Sequence, residues 1–306
     1  MAAPRVAIGP KSSAFAEEAV RAGGGLPLKL GEPSDALVWL SVRDLDCLRE
    51  VLEDQPGIRW VQLPFAGVEP AVEAGVVDPE RLWTCAKGSY AEPVAEHALA
   101  LALAGLRCLP DRIRAHSWGA PAGTTLHRAK VTILGGGGIT RELLRLLAPF
   151  DVEATVVRRR PVPVEGAART VTIDSLGSVL GGALVVFVAL ALTPETIHVI
   201  GAPELEAMGD QAWLVNVARG RHVHTDALVS ALYEGTIAGA ALDVTDPEPL
   251  PDGHPLWTAT NCIITPHTAD TWEMILPLLA ARIRANVAHF AAGEPLEGQV
   301  DPASGY

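Results

Sequence analysis

Four cysteines in 306 residues, Cys47, Cys85, Cys108 and Cys262, lie far apart with no Cys-x-x-Cys pair among them. That spacing excludes a zinc knuckle and a disulfide framework, so free thiols in the cytoplasm and no metal centre are expected. Long apolar runs are missing too. The two longest, Ala98 to Leu106 and Ala183 to Leu192, fall short of the roughly 20 residues that cross a bilayer, so they predict a buried helix and a buried strand. The amino terminus lacks the charged start and apolar core of an export signal, and no membrane association is expected. Positive charge is scarce. With 24 Lys and Arg against 36 Asp and Glu the net charge is -12, a field that repels nucleic acid and acidic lipid. A small anionic substrate stays compatible, because a few local arginines dominate the potential inside a cleft.

The 49% hydrophobic content is ample for two cores, and the 29 glycines and 24 prolines are scattered, as suits many short loops. Short β-branched runs alternate with helix-like segments, which predicts an α/β protein with parallel sheets covered on both faces. Strands are predicted near Arg5 to Gly9, Leu26 to Leu30, Ala36 to Leu40, Ile58 to Leu63 and Leu82 to Ala86. A second series of six starts with Val131 to Leu134 and continues through 153–157, 184–189, 212–217, 239–244 and 262–265. A helical segment, Glu92 to Leu109, separates the series. The expected division is therefore two doubly wound domains: a smaller flavodoxin-like substrate domain of residues 1–97 and 272–306, and a Rossmann cofactor domain of residues 98–271. The discontinuity arises because Trp272 to Ala292 reads as a long helix crossing back onto the first sheet.

Val131-Thr-Ile-Leu-Gly135-Gly-Gly137-Gly138-Ile139-Thr140 is an apolar strand entering a glycine-rich turn and then an amphipathic helix. Gly135 permits the tight turn, Gly137 the close approach of a pyrophosphate, and the helix amino terminus at Gly138 and Ile139 meets its charge. Thr140 stands where a third glycine is usual, which predicts slightly wider helix-strand spacing. A glycine-rich turn without ligand is the alternative. At the end of the next strand, where NAD-binding sheets carry an acidic residue, the chain has Arg158-Arg159-Arg160. Guanidinium groups suit the 2'-phosphate of NADP, so NADP is preferred over NAD, with NAD still possible; the bland alternative is a solvated charge run.

Three later strand ends carry an arginine, a carboxylate and an imidazole: Asn216-Val-Ala218-Arg219-Gly220, Asp243-Val-Thr-Asp-Pro-Glu248-Pro-Leu-Pro and Thr265-Pro-His267. Ligands bind at the carboxyl ends of such sheets. Taken alone, His267 reads more readily as a packed or surface histidine and Glu248 as a loop acid.

Together with Leu192-Thr-Pro-Glu-Thr196, Gly239-Ala-Ala-Leu-Asp-Val244, Pro255-Leu-Trp257 and Ile264-Thr-Pro-His267, these segments resemble the D-isomer-specific 2-hydroxyacid dehydrogenase family over most of the chain. The resemblance implies an oxidoreductase of a small 2-oxo or 2-hydroxy acid. In it His267 is the proton donor, Glu248 bonds to the imidazole, Arg219 orients the substrate, and Ala218 and Asp243 contact the cofactor. Ala66-Gly67-Val68 is similar to the family's substrate loop, whose amides hold the substrate carboxylate, and a homodimer is the family habit. Departures are Ala191 for a proline, His224 for an aspartate and Thr140 for glycine. His224 reads as a helix amino-terminal surface residue. Glu96 and His97 read as packing or subunit-contact residues, and Trp118 as a loop residue that could close over a neighbouring subunit's substrate. The rival is a dinucleotide-sensing scaffold of the co-repressor kind, which keeps the fold without turnover; a relative handling amino acids or nucleosides on a related sheet is the other.

Overall fold

The computed structural model describes residues 2–41 and 43–301; Val42, and Met1 and residues 302–306 at the ends of the expected first domain, lie outside the described residues. The chain divides into two compact units, Met1–Tyr90 with Thr271–Tyr306, and Ala91–Asp270.

In chain order the first unit builds β1 (Arg5–Gly9), α1 (Ala14–Ala22), β2 (Leu26–Lys29), β3 (Ala36–Trp39), α2 (Leu45–Asp54), β4 (Trp60–Gln62), α3 (Glu69–Glu73) and β5 (Leu82–Thr84). The second unit follows with α4 (Ala91–Leu106), α5 (Leu109–Arg114), β6 (Lys130–Leu134), α6 (Gly138–Leu147), β7 (Glu153–Val157), β8 (Arg169–Val171), α7 (Leu176–Leu180), β9 (Val185–Val188), α8 (Ala202–Met208), β10 (Trp213–Asn216), α9 (Thr225–Glu234), β11 (Gly239–Leu242) and β12 (Cys262–Ile264). Helix α10 (Trp272–Ala292) then returns to the first unit.

The first sheet runs β2-β1-β3-β4-β5 with every pair parallel, the flavodoxin-like order. Because successive side chains of a strand point to opposite faces, Val6 and Ile8 join Val38 and Trp60 in a core with α1 and α10, while Ala7, Leu37 and Val61 face α2. Helix α10 supplies Ile275, Leu279, Ile283 and Val287 to that core, which is why the chain returns.

The second sheet runs β12-β11-β10-β9-β6-β7-β8, again all parallel. In β9, Val185 and Phe187 pack with α4 and α6, and Val186 and Val188 pack with α7, α8 and α9. Burial on both faces explains a strand that reads as one unbroken apolar run. The order reverses between β6 and β9, the switch point where such sheets take ligands.

Two expectations need correction. The second sheet has seven strands, not six: β8, only Arg169–Val171 and at the edge, is too short and too polar to announce itself. The units also separate before α4 rather than within it at residue 97, because Val94, Ala95, Ala98, Leu101 and Ala102 all pack into the second unit's core and a continuous helix cannot be shared out.

Candidate active site

Strand β6 ends at Leu134 and the chain turns through Gly135, Gly136 and Gly137 into α6. Gly135 has φ +113, and a Cβ there would lie 2.2 Å from the carbonyl oxygen of Ala189, so only glycine fits. Gly137 caps α6 with nothing within 4 Å of where its Cβ would stand, which leaves the helix amino terminus at Gly138 and Ile139 open to a ligand. Thr140 is buried, and its hydroxyl donates to the Gly135 carbonyl at 3.0 Å, tying the helix back to the turn. At the end of β7 the Arg158 side chain runs beside the turn, its Nε 3.1 Å from the position of a Cβ on Gly136, and Nη1 donates to the Val162 carbonyl at 3.3 Å. Arg159 and Arg160 are exposed. An open cradle of backbone amides with a guanidinium alongside fits an anionic dinucleotide.

The loops after β10, β11 and β12 hold the reactive side chains. His267 Nδ1 and Glu248 Oε1 are 2.7 Å apart, with the two side chains 45% and 41% exposed. The bond to Glu248 raises the imidazole above its ordinary value, burial working against it, and the same bond holds Glu248 below the usual carboxylate range. Nδ1 is committed to Glu248, so Nε2 is the nitrogen that can exchange a proton with a substrate. The Thr245 amide donates to Glu248 Oε2 at 3.4 Å and steadies the carboxylate from behind.

Arg219 starts the loop after β10, and its charge is felt by both His267 and Glu248. Gly220 explains how: a Cβ there would stand 1.9 Å from the Thr245 carbonyl oxygen, so only a glycine lets the arginine loop lie against the glutamate loop. Arg219 Nη1 donates to the Ala218 carbonyl at 2.7 Å, and the Ala218 amide, itself buried, donates to Asn216 Oδ1 at 3.0 Å. The loops thus bring together the guanidinium, carboxylate and imidazole that the spacing predicts.

Asp243, expected from the resemblance to contact the cofactor, is held by the chain that follows β12. Its side chain is 1% exposed and accepts from the Thr265 hydroxyl at 2.6 Å, the Thr268 amide at 2.9 Å and the Ala269 amide at 3.0 Å. Burial would raise the carboxyl, but those bonds, and one from His97, outweigh it and bring it down to about 2.

Sequence reasoning passed over His222 and Asp270 here, and read His97 as a packing or subunit-contact residue. His222 is fully buried, lies 3.2 Å from the Arg219 amide through Nδ1 and 3.3 Å from the Ala191 carbonyl through Nε2, and so braces the arginine loop. Asp270 is a half-buried carboxyl, pushed up by burial and within the field of His267, Asp243 and Arg219. His97, in the middle of α4, reaches Thr265 and Asp243. Only spacing on a helix could have signalled His97, and the other two carry no sequence signal. His224 caps α9, its Nδ1 accepting from the Ala227 amide at 3.3 Å, and Trp118 is 97% exposed.

In the first unit, Ala66, Gly67 and Val68 follow β4 and lead into α3, with Val68 buried. Among the described residues the amides of Gly67 and Val68 donate to no carbonyl. No helix among the described residues is long and apolar enough to cross a membrane, and no cluster of three metal-ligating side chains occurs among them.

A parallel sheet of Rossmann order, a glycine cradle at its switch point and a carboxylate-imidazole pair at its carboxyl edge are the frame of a nicotinamide-dependent oxidoreductase. Residues 97–269 match the family model of the D-isomer-specific 2-hydroxyacid dehydrogenase NAD-binding domain. A Corynebacterium melassecola protein encoded in the proB 3' region is 44% identical over 81% of this chain and 84% of its own. A glyoxylate reductase of Thermofilum pendens is 31% identical over 88% of this chain and 80% of its own. Among solved structures, a D-isomer-specific 2-hydroxyacid dehydrogenase of Xanthobacter autotrophicus, in complex with NADPH and MES, superposes with a TM-score of 0.86 at 28% identity over 100% of both chains. The chain belongs to the D-isomer-specific 2-hydroxyacid dehydrogenase family.

Proposed function

We propose that the protein reduces a small 2-oxo acid to the D-2-hydroxy acid, with His267 as proton donor and NADPH preferred over NADH. The observation that carries this reading is the 2.7 Å bond between His267 Nδ1 and Glu248 Oε1, which favours the charged form of the imidazole. When bound, the cofactor supplies a hydride to the carbonyl carbon. His267 Nε2 gives its proton to the carbonyl oxygen, whose π pair becomes the new O–H bond, and the neutral imidazole is recharged from solvent. In the oxidative direction the same nitrogen takes the proton back. Arg219 orients the 2-oxo acid and polarises its carbonyl. The amides of the Ala66-Gly67-Val68 loop hold a carboxylate, a role supported by their lack of carbonyl partners among the described residues.

The glycine cradle at 135–139 takes the pyrophosphate, and Arg158, Arg159 and Arg160 take a 2'-phosphate; the Arg158 side chain beside Gly136 supports that choice. The relatives named as glyoxylate reductases point to substrates of two or three carbons. We assign a cytoplasmic homodimer, on the strength of four free cysteines and of exposed apolar side chains at Leu109, Ile113 and Trp118.

A panel of 2-oxo acids including glyoxylate and hydroxypyruvate, assayed with NADPH and NADH, tests the reading. Steady NADPH oxidation is expected, and Arg158→Asp should cut the NADPH preference about tenfold or more, as loss of one charged contact implies. Cofactor binding without turnover on every acid would point instead to a dinucleotide-sensing scaffold.

A further inference from the structure

Helix α4 crosses the second sheet, packs against α6 and carries one imidazole, His97. His97 Nε2 is 3.1 Å from the Thr265 hydroxyl oxygen and 3.3 Å from Asp243 Oδ1, with 22% of its side chain exposed. The proton positions follow from the partners. Asp243 is ionised and can only accept, so the hydrogen of the Thr265 hydroxyl, 2.6 Å away, points to Asp243 Oδ1. The Thr265 oxygen then has only lone pairs for His97, and Nε2 must carry the hydrogen. His97 is thereby a donor shared between Thr265 and Asp243.

That chain is the turn bearing the acid. The Asp243 carboxylate receives the amides of Thr268 and Ala269, and the Asp243 carbonyl receives the amide of His267 at 2.8 Å. His267 itself sits at φ +50, a left-handed conformation that a side chain other than glycine holds only when its surroundings impose it. The imposing group is Asp243, buried and saturated with donors; the donor that comes from outside this turn is His97.

We infer that His97 is a positioning residue for the reaction: through Thr265 and Asp243 it locks the left-handed turn that aims His267 at Glu248 and the substrate. This rests on the reading of His267 as the proton donor. It makes no contact with substrate or cofactor necessary for His97, and assigns its effect to turnover rather than to cofactor affinity.

The experiment compares His97→Leu, which keeps the volume and removes the donor, with His97→Gln, whose amide nitrogen can replace Nε2–H, and His97→Asn, whose shorter amide falls short of Thr265. Thermal melts establish that each variant is folded, and His97→Asn takes the place of His97→Leu if the latter does not fold. Loss of one well-placed hydrogen bond to an ionised group should lower kcat about tenfold in the Leu and Asn variants, with NADPH affinity within about twofold of the parent and most of the turnover restored in Gln. Amide hydrogen exchange at Thr268 and Ala269 should quicken in Leu and Asn but not in Gln. Full turnover in His97→Leu with unchanged exchange, or a Gln variant no better than Leu, overturns the assignment. If the parent protein reduces no 2-oxo acid, the proposed function fails, and the exchange rates decide the positioning role on their own.

Discussion

Two carboxylate-imidazole pairs draw their carboxylates from the segment that follows β11, and they are built in opposite ways. Glu248 and His267 face each other at 2.7 Å with both side chains half exposed. Asp243 and His97 meet at 3.3 Å with the carboxylate 1% exposed and wrapped in four donors. In the first pair the bond to the glutamate favours the charged imidazole and leaves Nε2 without a bond to it. In the second pair the carboxylate is spent entirely on the chain around it, and the imidazole is one more donor. Exposure separates an imidazole open to solvent from a carboxylate enclosed by the chain, even when the residue types are the same.

The contrast is broken most severely at His267. His267→Ala should lower turnover about 10² to 10⁴ times, the range for a general acid, with cofactor binding retained by fluorescence titration; near-normal turnover would remove the assigned mechanism. Next comes the anchor. Asp243→Asn puts an amide nitrogen against the Thr268 or Ala269 amide, which can only donate, and should cost about 2 to 4 kcal/mol of stability in a denaturant melt, with turnover lost alongside. A melt equal to that of the parent would mean the carboxylate is not what holds the turn.

The smallest effect sharpens the first pair by pH. Because the imidazole of His267 is raised by Glu248, with Asp243 acting in the same sense and Arg219 against it, the reducing form persists above the ordinary histidine range and is lost as pH rises through the raised value. The Asp270 carboxyl also feels the charge of the imidazole. Glu248→Gln should therefore move the alkaline limb of the reduction rate to lower pH and lower the rate at neutral pH about tenfold. For stability the signs are the same: the contribution of His267 is present at low pH and fades as pH rises through its folded value, while that of Glu248 is present above its unfolded value and fades as pH falls. An alkaline limb that does not move in Glu248→Gln would assign the raised imidazole to its other neighbours.

Much of this is legible along the chain. The strand, glycines and helix from Lys130 to Leu147 are contiguous, so local geometry alone makes them a cradle, and the motifs at Arg219, Glu248 and His267 each carry their own strand end. What is hidden is short or remote. Strand β8 has three residues and no apolar alternation to betray it, and it exists because β7 offers it an edge. His97 lies 168 positions from Thr265, in a helix whose pattern is fully explained by packing.

The amino-acid sequence by itself determined the parallel α/β architecture, through apolar runs that must be covered on both faces, and which arginine, carboxylate and imidazole follow the last strand ends. Tertiary structure alone decided which carboxylate would stay in solvent and which would be buried. Ionisation and proton position depend on the dielectric and the donors around each group, and those come from chain segments that meet only after folding.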